Sequence, residues 1–252
     1  MTSVAFDIGS CFTKVYFGGD LPGRRVFETP VGVRQLKQRF DLTSTSMVLD
    51  SFLRRLCSTA SILACCKEIE VLVSPGDSTL FAQYVSRWFA SASWNGVSRV
   101  VDAFSWLLEA QGANDGCVVD IGYQATRVVP ILSSIPVVEA IALGSGMREL
   151  LALTVEGWAS SPEAASASTS PQPLVAEVSQ CILAILEEAV MHCNRYTQRP
   201  FVCGLFLLTG GGVAVEGVVG RIHSSLQKRW PNSRLLVLDT ASPLCWSPTS
   251  SS

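Results

Sequence analysis

Two short segments limit what this chain can fold into: Val4-Ala5-Phe6-Asp7-Ile8-Gly9-Ser10-Cys11-Phe12-Thr13-Lys14 and Cys117-Val118-Val119-Asp120-Ile121-Gly122-Tyr123-Gln124-Ala125-Thr126. Each is an apolar strand that runs into Asp-x-Gly and then straight out into a second strand. One chain thus offers two carboxylates on two tight hairpins. That pairing predicts a cleft built to hold phosphates and a divalent cation.

The chemistry follows from the residue types. Gly9 lets the backbone turn tightly and lets a phosphate approach the amides with no Cβ in the way. The Asp7 carboxylate suits a magnesium ion, reached through water because magnesium keeps much of its hydration shell. Lys14 lies four residues beyond Ser10 on the outgoing strand, so the two side chains can share a face with Phe12 and Lys14 can neutralise phosphate charge. Asp120 and Gly122 repeat the device. A third element, Leu207-Leu208-Thr209-Gly210-Gly211-Gly212, is a buried strand emptying into a glycine loop and then a helix. Such glycines let the backbone pass under a ribose or base, and a helix N-terminus favours phosphate. Taken singly, each motif equally suits an ordinary turn. The order of the three is the specific signal.

Around these motifs the chain reads as an α/β protein built twice. Strands are expected at 4–8, 12–18 and 24–28 as a meander, then a helix over 44–65, a strand over 69–73, a helix over 78–91, a strand over 97–101 and a helix through Glu109. From 117 the order begins again: strands at 117–121, 125–131 and 135–140, a helix over 145–155, then a helix over 174–194, a strand over 202–208, a helix over 215–229 and a strand over 235–238. The repeat is one of pattern rather than identity. It predicts a first half over 1–116 and a second over 117–240. Residues 158–173 are Ser, Ala and Pro rich and read as a flexible linker, and 241–252 as a disordered tail.

Composition excludes several classes. With 252 residues and 48% apolar content, the chain can bury a substantial core. A formal charge of −2 and scattered Lys and Arg give no electrostatic footprint for nucleic acid or an anionic membrane. Nine cysteines without a C-x-x-C, and only His192 and His223 beside them, read as buried thiols in a reducing compartment rather than a zinc site. The chain opens in a strand with no basic, apolar leader, and no run approaches the about 18 to 20 apolar residues of a membrane span. A soluble, cytoplasmic protein is expected. Trp88, Trp94 and Trp106 gather near two helices, as core filling or as an interface anchor.

The order of two phosphate hairpins and a glycine loop resembles the actin, Hsp70 and sugar-kinase superfamily. Within it the surroundings are similar to actin and its relatives: Gly18-Gly19-Asp20-Leu21-Pro22-Gly23-Arg24 after the first hairpin, and Val129-Pro130-Ile131 with Gly144-Ser145-Gly146 after the second. The resemblance covers 1 to about 155 and 200 to about 240. It implies two ribonuclease-H-like halves around a nucleotide cleft. It also implies ATP or ADP with magnesium held by Asp7, Gly9, Ser10, Lys14, Asp120, Gly122, Gly210, Gly211 and Gly212, with Asp7 and Asp120 facing the metal.

Departures from that pattern bear on function. Actins carry a second carboxylate just after the Gly of the second hairpin, where this chain has Tyr123. They carry a water-positioning Gln on the helix before that hairpin, where this chain has Ala103 with Asp102 beside it. Losing such a group typically costs about 10²- to 10⁴-fold in rate, so a robust ATPase is not expected and no catalytic residue is assigned. Too few residues lie between the expected elements for the subdomain 2 and subdomain 4 insertions of actin. Phe12-Thr13-Lys14, Asp120-Ile121-Gly122-Tyr123 and Val128-Val129-Pro130-Ile131 resemble best the branch of actin-related proteins at the pointed end of the dynactin complex. That resemblance implies a structural, cytoskeletal subunit that caps or adapts an actin-related filament, with the filament subunits and other pointed-end subunits as partners. The alternatives are a small kinase or phosphatase of the same superfamily, and a scaffold whose cleft holds nothing.

Overall fold

A computed structural model describes residues 3–17, 20–38, 42–60, 62, 66, 68–91, 97–150, 172–198 and 204–238. The chain divides into two compact units, Met1–Ala110 and Gln111–Ser252. Most of the linker expected over 158–173, the tail over 241–252, Gly18, Gly19, Trp94 and Cys203 lie outside the described residues.

Unit 1 begins with a meander of β1 (Ser3–Ile8), β2 (Phe12–Phe17) and β3 (Asp20–Glu28). Helices α1 (Val31–Gln38) and α2 (Leu42–Thr59) follow, then β4 (Glu68–Val73), α3 (Thr79–Ser91), β5 (Val97–Asp102) and α4 (Ala103–Glu109). The strands form one mixed sheet in the order β3-β2-β1-β4-β5, antiparallel across β1, β2 and β3 and parallel across β1, β4 and β5. Period-2 alternation sends Val4, Phe6 and Ile8 into a core completed by Phe52, Leu53 and Leu56 of α2 and by Phe81, Val85 and Phe89 of α3. Phe6 stacks on Phe89 with ring centres 4.6 Å apart. Ala5 and Asp7 therefore face the other way, together with Lys14 and Tyr16 across the ladder.

Unit 2 repeats the wiring. Strands β6 (Gly116–Ile121) and β7 (Ala125–Leu132) form the hairpin, followed by β8 (Ile135–Pro136), a 3-10 turn at Val138–Ala140 and β9 (Ala142–Ser145). A helix starts at Met147. Then come α5 (Gln172–Thr197), β10 (Leu205–Thr209), a 3-10 turn at Gly211–Ala214, α6 (Val218–Arg229) and β11 (Arg234–Val237). The sheet runs β11-β10-β6-β7-β8, with β9 also on β7. Taking β6 as first strand, β7 as second, β8 and β9 together as third, and β10 and β11 as fourth and fifth, both the order and the orientations match unit 1. Its core joins Val119, Ile121, Ile182, Leu186, Phe206, Leu208, Ile222 and Leu226.

Three elements differ from expectation, each for a local reason. Helix α1 occupies a stretch between the expected third strand and first helix to which the sequence pattern assigns no element. Only Val33 and Leu36 of its two turns face the core, too short a stripe to show periodicity, and the Pro30 carbonyl starts the helix by accepting from Arg34 N–H at 3.0 Å. Helix α2 stops at Thr59 rather than 65, closed when Ile62 N–H donates back to the Cys57 carbonyl at 3.0 Å. The strand expected over 135–140 is broken after Pro136, because proline cannot donate to a ladder, and pairing with β7 resumes at β9. The turn from β7 into β8 puts Ser133 and Ser134 at positive φ, the type I′ geometry of two-residue hairpins. Asn114 and Asp115 hold that turn by accepting from Ser134 and Ser133 N–H, each at 2.7 Å, so the segment before β6 packs with unit 2 and the division falls at Gln111 rather than 117.

The described cysteines are free thiols. No described helix is long and apolar enough to cross a membrane. Cys57 sits in the unit 1 core, where burial first and the neighbouring Cys66 second push its thiol up from near 9 to about 12. The native state then keeps a proton that the unfolded chain releases, so this contribution is complete below pH 9 and is lost as pH rises from about 9 to about 12. Alkaline unfolding followed by circular dichroism should show the wild type losing stability faster than Cys57→Val over that window, by up to about 1.4 kcal/mol per pH unit.

Candidate functional site

In open α/β sheets, ligands gather outside the carboxyl ends of the parallel strands. In unit 1 that edge carries the β1–β2 turn, the Ser74–Asp77 turn after β4, and Asp102 at the end of β5. The turn is forced by its glycine. Gly9 N–H donates to the Phe12 carbonyl at 3.0 Å, and a Cβ on Gly9 would stand 2.6 Å from that oxygen. Directly before the turn, Asp7 opposes Lys14 in the ladder, and Lys14 Nζ reaches Asp7 Oδ2 at 2.7 Å. Ser10 sits in the turn, half-buried.

Hairpin 2 has the same construction. Gly122 N–H donates to the Ala125 carbonyl at 3.1 Å, and a Cβ there would stand 2.7 Å from the same oxygen. Asp120 opposes Arg127, whose Nη1 lies 3.0 Å from Asp120 Oδ2. The glycine loop meets this hairpin because β10 runs parallel to β6 with Thr209 beside Asp120. Gly210 takes φ +94°, where a Cβ would fall 2.6 Å from Asp120 Oδ1, and Gly212 packs against Ile121 so closely that a Cβ would overlap its side chain. From the other side Gly146 lies on Tyr123 and Gln124, and the helix starting at Met147 uses the hairpin carbonyls as its cap: Met147 N–H donates to Gly122 and Arg148 N–H to Tyr123. Within the Gly210–Gly212 loop, Gly211 opens onto empty space.

Thus Asp7, Gly9, Ser10 and Lys14 assemble in unit 1, and Asp120, Gly122, Gly210, Gly211 and Gly212 in unit 2. Arg127 escaped the reading of the sequence, although the signal is there. Both hairpins obey Asp-Ile-Gly-x-x-x-Thr followed by Lys or Arg, and aligning them on the first Asp puts Arg127 opposite Lys14. The threonines match as well. Thr13 and Thr126 are fully buried and anchor the second strand to the third, Thr13 through Thr29 Oγ1 at 2.9 Å and Thr126 through the Ser145 carbonyl at 2.8 Å.

A second group of residues was hidden because α1 was. Lys37 at the end of α1 donates to the Ile8 carbonyl at 2.6 Å and lies 2.8 Å from Asp77 Oδ2, tying α1 to both turns of the carboxyl edge. Arg34, one turn earlier, donates through Nη2 to the Thr29 carbonyl at 3.5 Å, while Thr29 N–H binds the Cys11 carbonyl at 2.8 Å. Burial pushes the Cys11 thiol up, and the Arg34 charge pulls the other way. Arg34 Nε is buried and has no hydrogen-bond partner among the described residues. An orphaned donor on a cation is costly unless something accepts from it.

These donors suit a phosphoanion. They suit magnesium poorly, because the two carboxylates expected to face it are each held by a cation of their own hairpin. A further cation about 4 Å from such a group meets repulsion of about 4 kcal/mol per unit of charge at an effective dielectric near 20. Among the described residues no three His, Cys, Asp or Glu side chains collect at one point.

Ala103 is buried, and Asp102 caps α4 by accepting from Phe104 N–H at 3.1 Å and Ser105 N–H at 2.7 Å. Tyr123 is 40% exposed. Trp88 and Trp106 are half-buried and donate to Asp50 at 2.7 Å and Glu70 at 2.8 Å, packing residues with a satisfied polar end.

No protein-family model and no curated protein matches this chain.

Replacing Gly9 or Gly122 with Ala should lower the thermal midpoint, by the equivalent of about 1 to 3 kcal/mol for an overpacked backbone contact. Gly211→Ala should stay within about 0.5 kcal/mol of wild type. Scanning calorimetry on the three variants checks the contrast.

Proposed function

We propose that this chain is a compact actin-like protein with a structural role, an end-capping or adaptor subunit of an actin-related filament of the dynactin pointed-end type. The observation that carries the reading is the duplication: one five-strand wiring used twice, each time with Asp-Ile-Gly and a cation at the same turn. The glycine loop packed on the second hairpin adds to it. The step from fold to role rests on analogy, since one fold serves many functions. It draws support from the site itself: Asp102 is engaged as a helix cap, and Tyr123 stands where actins keep a second carboxylate.

A nucleotide, on this reading, is a structural ligand. Within unit 1, Lys14, Arg34 and Lys37 are suited to phosphate; taken by itself, unit 2 offers Arg127 and the Gly210–Gly212 loop. Bound without turnover it stabilises by RT ln(1 + [L]/Kd), about 4 kcal/mol at a thousandfold excess over Kd. A kinase or phosphatase of the same superfamily remains the rival, and it requires a carboxylate base, whereas Asp7, Asp77 and Asp120 at these turns are each held by a cation and Asp102 by a helix start.

Affinity purification of the tagged chain from its own cells, followed by mass spectrometry, should recover actin-related filament subunits and dynactin or dynein components. In parallel, ATP hydrolysis should run far below the about 1 s⁻¹ at the low end of ordinary enzymes. Recovery of metabolic enzymes alone, or turnover near 1 s⁻¹ abolished by Asp7→Ala, would sink the proposal.

A further inference from the structure

The carboxyl edge of unit 1 has a composition that the hairpin motif does not require. Besides Lys14, two cations arrive from α1, and both touch the segments that form the turn: Lys37 through the carbonyl of Ile8, the residue before Gly9, and Arg34 through Thr29, which is bonded to Cys11 in the turn. The acids facing them are Asp7 on Lys14 and Asp77 on Lys37. Arg34 and Glu28 both bring their charges to bear on Cys11 in the turn, and among the described residues nothing accepts from the buried Arg34 Nε. A guanidinium offers five N–H donors in a fixed fork that matches phosphate, and an ammonium offers three. The carboxylates are placed differently. Asp7 has Lys14 at 2.7 Å, and Asp120 has Arg127 on Oδ2 and the Gly210 backbone against Oδ1. Magnesium demands near-ideal octahedral geometry and relies on one or two carboxylates beside the phosphates.

We infer that α1 supplies Arg34 and Lys37 to a phosphoanion site at the first hairpin, and that this site takes its ligand without a divalent cation. The inference rests on reading the hairpins as phosphate-binding. Within that reading the cations do the work usually left to the metal: Arg34 binds phosphate oxygens through its fork, Lys14 and Lys37 balance charge, and Asp7 and Asp77 fix the two lysines. Arg34 differs from Lys37 in one useful respect. Lys37 ties three segments together, so removing it endangers the fold. Arg34 leaves Nε unmet and its bond from Nη2 to the Thr29 carbonyl is long, 3.5 Å, so Arg34→Gln removes less from the native state than a change at Lys37 would.

The test is calorimetric titration of the full chain with ADP, ATP and pyrophosphate, in excess EDTA and again in millimolar magnesium, on wild type and Arg34→Gln, with thermal midpoints of both proteins measured alone. The expected result is wild-type binding in EDTA within about threefold of that in magnesium. Arg34→Gln should bind about 10- to 100-fold more weakly, the range for a charged hydrogen bond, with an unlowered midpoint in the absence of ligand. Binding that needs magnesium, or an Arg34→Gln variant that binds as tightly as wild type, overturns the inference and leaves the phosphate-hairpin reading standing. An Arg34→Gln midpoint that falls by several degrees assigns the residue a structural role and also overturns it. If none of the three ligands binds under either condition, the phosphate-hairpin reading fails, and the inference fails with it.

Discussion

The turn between the first and second strand of each sheet leaves no room for a side chain at its glycine, and the rest of each unit is arranged around that fact. With the glycine amide bonded to a carbonyl three residues on, a Cβ would collide with that carbonyl at 2.6 Å in one hairpin and 2.7 Å in the other. So tight a turn fixes the register of the strands that leave it. Register in turn puts an aspartate directly opposite a cation two residues before the glycine, Asp7 against Lys14 and Asp120 against Arg127. Alternation along the same strands sends the neighbouring apolar residues to the opposite face, where the helices cover them.

The two units use this common device with different supports. In unit 2 the hairpin is braced by backbone: Gly146 lies on one side, and Gly210 and Gly212 on the other, each at a distance only glycine permits. In unit 1 the bracing comes from side chains, with Lys37 joining α1 to the end of β1 and to Asp77. Close backbone contact excludes water and side chains alike. A salt-bridged strap instead brings charge to the edge of the sheet, and the surplus donor on Arg34 comes with it.

How much of this was legible can be judged element by element. The meanders, the strand–helix alternation and the glycine loop could be read because each has a periodicity or a punctuating glycine long enough to register. Arg127 was legible in principle, through alignment of the two hairpins, but not from its own hairpin read alone. Helix α1 was not, since eight residues with two inward apolar side chains carry too little pattern, and Lys37 and Arg34 vanished with it. The broken third strand of unit 2 was missed because Pro136 interrupts a run that otherwise looks continuous.

The sequence by itself determined the duplication, the position of both Asp-x-Gly turns and the apolar faces of the strands, because these follow from local sterics and from a two-residue repeat. Tertiary structure alone decided which charges meet. Lys37 finds Ile8 and Asp77 across 29 and 40 positions of chain, and Asp120 finds Gly210 through a parallel strand. Such pairings depend on strand order and helix placement, which no local window of sequence encodes.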